Sequence, residues 1–352
     1  MQQFNKELKQ KREKLQKIKD NVTVDRLKDL NLTIKVIDQL LTKYPNQKTN
    51  YPDIFLEEYE FLKKYKFLWE ICTTISEFTS DEIRSYYWYE HNLKNKELLE
   101  LSNDFFKNAT NKEIYELFLK LYKQNKNIHF VKLDKNSSFK GESTFLLYDK
   151  SFYLQLQREY DFSDISTLIH EFGHGIQFLL NYNYNLFVNQ VCFSEISSIF
   201  FELLSMDYFS KDLFFKRDAI TAEQSLWDNS CENALSLTRL FQVFESIDLN
   251  EWENKNIIKK KLTNYLLEYN IDSLLNEMPS HDFPYVISYS IANELYLMYL
   301  NDPEESFYIY KKIMAIDLKL PPDKYLDEII NLGVLPTENL DKYEKVLKRK
   351  LV

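Results

Sequence analysis

A chain of 352 residues, 44% apolar and 16% aromatic, is long enough to bury a substantial core. With only 4 glycines and 8 prolines, and no proline between Pro52 and Pro279, it is not a turn-rich all-β protein; long helices suit that scarcity. A net charge of −9 speaks against a nucleic-acid binder, and no run of 18 apolar residues is present to span a membrane.

Cys72, Cys192 and Cys231 are odd in number and widely spaced. They form neither a disulfide framework nor a Cys-x-x-Cys site, so a reducing compartment is expected. The N-terminal Met-Gln-Gln-Phe-Asn-Lys-Glu-Leu-Lys has no apolar core of a signal peptide, and a cytoplasmic protein is expected.

In chain order, residues 1–45 are rich in Lys, Glu and Leu and read as one or two amphipathic helices with a solvated basic face. Tyr44 to Pro52 is a loop by its turn residues. Helical segments follow to about residue 125, and the aromatic cluster Tyr86-Tyr-Trp-Tyr89 among them is expected in the core. Residues 1–125 thus read as an N-terminal helical region, and 126–352 as a second domain that carries the chemistry.

The pattern changes at Ile128-His-Phe-Val-Lys-Leu133, which alternates as a half-buried strand does. Ser143–Tyr148 and Phe152–Leu156 read as a hairpin turning at Asp149-Lys-Ser151. An edge strand there would let an extended peptide add as a further strand. The hairpin runs directly into a helix with the apolar stripe Ile165, Leu168, Ile169, Phe172, Ile176, Leu179 and Leu180, for which Asp161 or Ser163 is the expected N-cap.

That helix contains Thr167-Leu-Ile-His-Glu-Phe-Gly-His. His170 and His174, four apart, project from one face and can bind one Zn²⁺ together. Glu171 between them is the expected general base toward a water at the metal. In Val191-Cys-Phe-Ser-Glu-Ile-Ser-Ser-Ile-Phe-Phe-Glu202, Glu195, Ser198, Glu202 and Ser205 make a polar face opposite an apolar stripe. Glu195 completes a two-His, one-Glu site with an open fourth position, and Glu202 suits the orientation of a ligand imidazole.

From about Phe130 to Glu202 the chain resembles the catalytic core of the thimet oligopeptidase and oligoendopeptidase F family. The residues that carry the likeness are Tyr148, Asp149 and Tyr153 in the hairpin, the His-Glu-Phe-Gly-His run, and Glu-x-x-Ser-x-x-x-Glu at 195–202. The resemblance implies a mainly α fold with a small sheet at the floor of a deep substrate channel. It also implies zinc on His170, His174 and Glu195, Glu171 as general base, and peptides as substrates. Met278-Pro-Ser-His-Asp-Phe-Pro-Tyr-Val-Ile-Ser-Tyr289 resembles the downstream family segment whose phenols stabilise the tetrahedral intermediate. His281 and Tyr289 match best, with Tyr285 close behind; a phenol or imidazole donor is what a developing oxyanion requires. The N-terminal region is much shorter than the family's. The function implied is zinc-dependent cleavage of internal bonds in short or unfolded peptides. The alternatives are a zinc exopeptidase of another type and a non-catalytic peptide-binding protein, against which the intact Glu171 speaks.

Overall fold

The computed structural model describes residues 2–19, 26–27, 30–31, 33–34, 37, 66–79, 86, 88–132, 140–146, 148, 150–181, 193–245 and 279–350. In chain order these form α1 (Gln2–Lys17), α2 (Lys66–Ser76), α3 (Asn95–Ala109), α4 (Lys112–Tyr122), β1 (Ile128–Lys132), β2 (Gly141–Leu146), β3 (Ser151–Arg158) and α5 (Ser163–Leu180). There follow α6 (Ile196–Phe209), α7 (Lys216–Glu245), α8 (Pro279–Asn301), α9 (Pro303–Met314), α10 (Pro322–Asn331) and α11 (Leu340–Lys350). The protein is mainly α with one small sheet among the described residues, as the sequence implies. No described helix is long and apolar enough to cross a membrane.

The chain divides into two compact units. Residues 1–48, 87–186 and 201–219 form the first. Its sheet has the order β1-β3-β2, with β1 parallel and β2 antiparallel to β3. Phe145 stands opposite Phe152, which fixes the hairpin register. One face of the sheet lies on α5: Phe152 stacks on Phe172, and Phe145 on Phe178. Phe118 of α4 meets the same Phe172 edge-on at 4.9 Å. Gly175 lets these layers close up, since a Cβ there would come within 2.6 Å of Leu121 and 2.9 Å of Phe152. The far face of the sheet is covered by the N-terminal helical residues. Leu146 is buried with Leu15, Leu30 and Ile37, and the Lys11 ammonium donates to Ser151 Oγ and lies over the Tyr153 ring.

Two local expectations are corrected here. The residue before α5 is Phe162, whose side chain makes no cap bond, so neither Asp161 nor Ser163 holds the N-cap position. Asp161 accepts from the Ser163 N–H at 2.8 Å, two residues on, so its carboxylate is used in a tighter turn. Asp164 instead ties the strand end to the helix, accepting from the Glu159 and Tyr160 N–H groups and from buried Arg158. The aromatic cluster is also not all core: Tyr89 is 53% exposed, with the Arg217 guanidinium over its ring. Tyr86 is half-buried and bonded to Asp228, and Tyr87 lies outside the described residues.

Residues 49–86, 187–200 and 220–352 form the second unit. Its central element is α8, which is buried on all sides from Val286 to Leu297 and therefore carries no polar stripe. Trp227, Tyr289 and Tyr343 pack ring against ring beside it. Asp302 caps α9 by accepting from the Glu305 N–H at 3.1 Å, with Pro303 at the first helical position. The C-terminal helix is anchored by Lys350, whose ammonium reaches buried Glu223 at 2.8 Å and Tyr296 at 2.6 Å.

Candidate metal centre

Most of the apolar stripe predicted for α5 is buried: Ile165, Leu168, Ile169, Phe172 and Ile176 are fully covered, while Leu179 and Leu180 at its end are half-buried. Burying that stripe turns His170 and Glu171, 8% and 5% exposed, and half-buried His174 into one place. One helical turn separates the two imidazoles, whose ring centres are 5.0 Å apart at 80° to each other.

Glu202 on α6 faces His170. Its Oε2 lies 3.0 Å from His170 Nδ1, and its Oε1 accepts from the Ser166 hydroxyl at 2.6 Å. Both carboxylate oxygens are thus engaged, which holds the imidazole at one rotation and leaves Nε2 as its other coordinating atom. Ser166 is a contributor that the motif did not reveal. The available signal was its spacing, four residues before His170 on the same helix face.

Glu195 comes just before the first residue of α6. Its carbonyl accepts from the Ile199 N–H at 3.0 Å, so it stands at the helix entrance. Ser198 and Ser194 donate to its two carboxylate oxygens at 2.9 and 3.3 Å, and its own N–H donates to Ser288 Oγ at 3.2 Å. His170, His174 and Glu195 each offer one ligand atom, all within 4.8 Å of one another; this is a possible metal site. Two imidazoles and one carboxylate at that spacing, with one imidazole locked by a further carboxylate, suit a divalent transition metal.

Glu171 lies against β2. A Cβ on Gly141 would stand 2.8 Å from Glu171 Oε1 and 2.6 Å from Thr167, so only glycine leaves room for this carboxylate. Ser143 donates to the Glu171 carbonyl at 3.3 Å. Neither Gly141 nor Ser143 was singled out for that neighbour in the sequence, since a contact between strand and helix has no local signature.

Among the downstream candidates, Tyr289 is fully buried, and its hydroxyl donates to that of Tyr343 at 3.3 Å. Burial pushes its ionisation well above the ordinary phenol range. Tyr285, one turn earlier on α8, is half-buried. His281 falls within α8, but its side chain lies outside the described residues.

Solved structures share this architecture. PZ peptidase A with an inhibitor gives a TM-score of 0.55 at 14% identity, over 95% of this chain and 66% of that one. The fold is a peptidase fold. A protein of Chlamydophila abortus described as a peptidase gives 0.53 at 14% identity, over 97% of this chain and 62% of its own. One of Bacillus anthracis described as an oligoendopeptidase F gives 0.51 at 15% identity, over 95% and 63%. The chain therefore spans just under two thirds of the length of these structures. The resemblance read from the motifs is met in the fold. No protein-family model matches the chain, and no curated protein sequence does either.

Proposed function

We propose that this chain is a zinc-dependent endopeptidase that hydrolyses internal bonds of short or unfolded peptides. One observation carries the reading: His170, His174 and Glu195 bring their ligand atoms within 4.8 Å of one another beside the buried Glu171. These three residues would hold the metal, which when bound supplies a Lewis acid for the scissile carbonyl and acidifies the attacking water.

The chain's own residues do the rest. Glu171 takes the proton from the attacking water and delivers it to the leaving amine nitrogen, so one carboxylate serves as base and then acid. Glu202 fixes the His170 ring, and Ser166 fixes Glu202. β2, the outer strand next to Glu171, pairs with the substrate backbone and so presents its carbonyl without demanding a particular side chain. For the oxyanion donor, the burial pattern favours Tyr285 over Tyr289, whose phenol already donates within a packed cluster. His281 remains the third member of that set.

Mass-spectrometric mapping of products from a peptide library tests the reading, with zinc-replete protein assayed with and without a chelator. Internal cuts abolished by the chelator and restored by zinc are expected. Trimming from one terminus only would replace the endopeptidase with an exopeptidase. Intact peptides at every position would remove peptidase activity.

A further inference from the structure

We infer that Ser288 is a positioning residue for the third ligand, holding Glu195 by its backbone and so setting the metal affinity of the site; the inference rests on the metal centre of the reading above. His170 and His174 lie inside α5, where the helix's own ladder of hydrogen bonds fixes their backbones. Glu195 is placed differently. It comes just before α6, so its N–H is one of the helix-end donors that no carbonyl of that helix can accept.

That N–H donates to Ser288 Oγ at 3.2 Å, from a residue 93 positions away in the chain. Ser288 sits in α8 and is fully buried, as are Val286, Ile287, Tyr289 and Ile291 around it. A hydroxyl on so closely packed a helix has little room to move, and it is a fixed point for the group it binds. On the other side of the residue, the Glu195 carbonyl accepts from the Ile199 N–H at 3.0 Å. The carboxylate in turn takes the Ser198 hydroxyl on Oε2 at 2.9 Å. Of these three holds, only the one from Ser288 comes from outside α6 and its entrance.

Alanine at 288 removes that acceptor. The N–H then turns toward another one, and the Cα that carries the ligand carboxylate turns with it. Metal-ligand distances tolerate only about 0.2 Å, so a small pivot at Glu195 costs affinity while both histidines stay in place. Ser290 provides the comparison within the same helix. It is equally buried, but its hydroxyl donates to the Ile287 carbonyl of α8 itself at 2.8 Å.

The test is Zn²⁺ affinity, measured by competition with a chromophoric chelator on wild type, Ser288→Ala and Ser290→Ala, each checked for folding by circular dichroism. Ser288→Ala is expected to bind about tenfold more weakly, the low end for a group that supports a metal ligand, and Ser290→Ala to bind as wild type. The substitution is then repeated in Glu195→Ala protein. There Ser288→Ala should change the affinity little, because its route to the metal is gone, whereas Ser166→Ala, which acts through Glu202 and His170, should still weaken it. Ser288→Cys, which offers only a weak sulfur acceptor, should fall between wild type and Ser288→Ala, and serves in its place if alanine does not fold. Unchanged affinity in Ser288→Ala, a loss matched by Ser290→Ala, or an equal loss in the Glu195→Ala background overturns the inference. Zinc binding weakened by Ser288→Ala, in a protein that cuts no peptide, would leave Ser288 in its role and remove the peptidase reading. Wild-type protein that binds no zinc removes both.

Discussion

In the proposed function Glu171 is the residue on which the chemistry would turn, and its surroundings separate its role from that proposed for the ligands. Glutamine at 171 keeps the shape next to Gly141 but cannot accept a proton. Glu171→Gln is therefore expected to retain zinc by elemental analysis while kcat falls by roughly 10²- to 10⁴-fold; a loss below about tenfold would take Glu171 out of acid–base work. Glu202 would reach a metal at this site only through His170, so Glu202→Ala should weaken zinc binding by about 10- to 100-fold in a competitive chelator titration. The two tyrosines divide on one deleted oxygen each. Tyr285→Phe should lower kcat and kcat/KM together by about 10², with KM little changed, as for a lost oxyanion donor. Tyr289→Phe should leave kcat near wild type and cost about 1 kcal/mol of stability, because it removes a buried bond to Tyr343. The opposite pattern would return the role to Tyr289.

The elements show why some of these assignments could be read in advance and others not. The α5 stripe has period 3.6, so the face of His170 and His174 follows from the spacing of Ile165, Leu168, Ile169, Phe172 and Ile176. The alternation of β2 and β3 likewise fixes which residues share a face. In α8 that logic fails, because a helix buried on all sides has no polar stripe to single out one of its tyrosines. The N-cap of α5 differs from the expected residue for a related reason: the Asp161 carboxylate is taken up by the N–H and hydroxyl of Ser163, a turn that local sequence does not distinguish from a cap. Close approach between elements gives a further test. Adding one methyl group at Gly175 forces Leu121 and Phe152 to move inside a packed layer. Gly175→Ala should therefore cost about 1–3 kcal/mol in denaturant unfolding, whereas an unchanged midpoint would show that the layers can relax.

At the scale of the whole molecule, metal and fold are linked by mass action. If zinc binds only the folded chain, then zinc at about 100 times its Kd adds about 2.7 kcal/mol of stability. The midpoint in a thermal scan should rise with zinc and fall again with chelator. The thiols report on the same transition. Cys72 and Cys231 are buried, and burial pushes the Cys72 thiol up to about 12 and Cys231 above its ordinary range as well. A thiol whose ionisation is raised stays protonated below that pH and does not attack. Alkylation at pH 8 followed by peptide mapping should leave both unmodified in the native protein and label both in denaturant.

Composition by itself determined that the chain is helical and rich in core-forming residues, because scarce glycine and proline leave little else to build. The His-Glu-x-x-His spacing determined that two imidazoles share one face, where they could hold a metal, because four residues is one turn of helix and needs no partner to be true. Only the tertiary structure decided that Glu202 locks His170, that Ser166 completes that contact, and that Gly141 makes room for Glu171. Those contacts join residues 32, 36 and 30 positions apart. Such pairs are brought together by packing and strand register, which no local period in the sequence encodes.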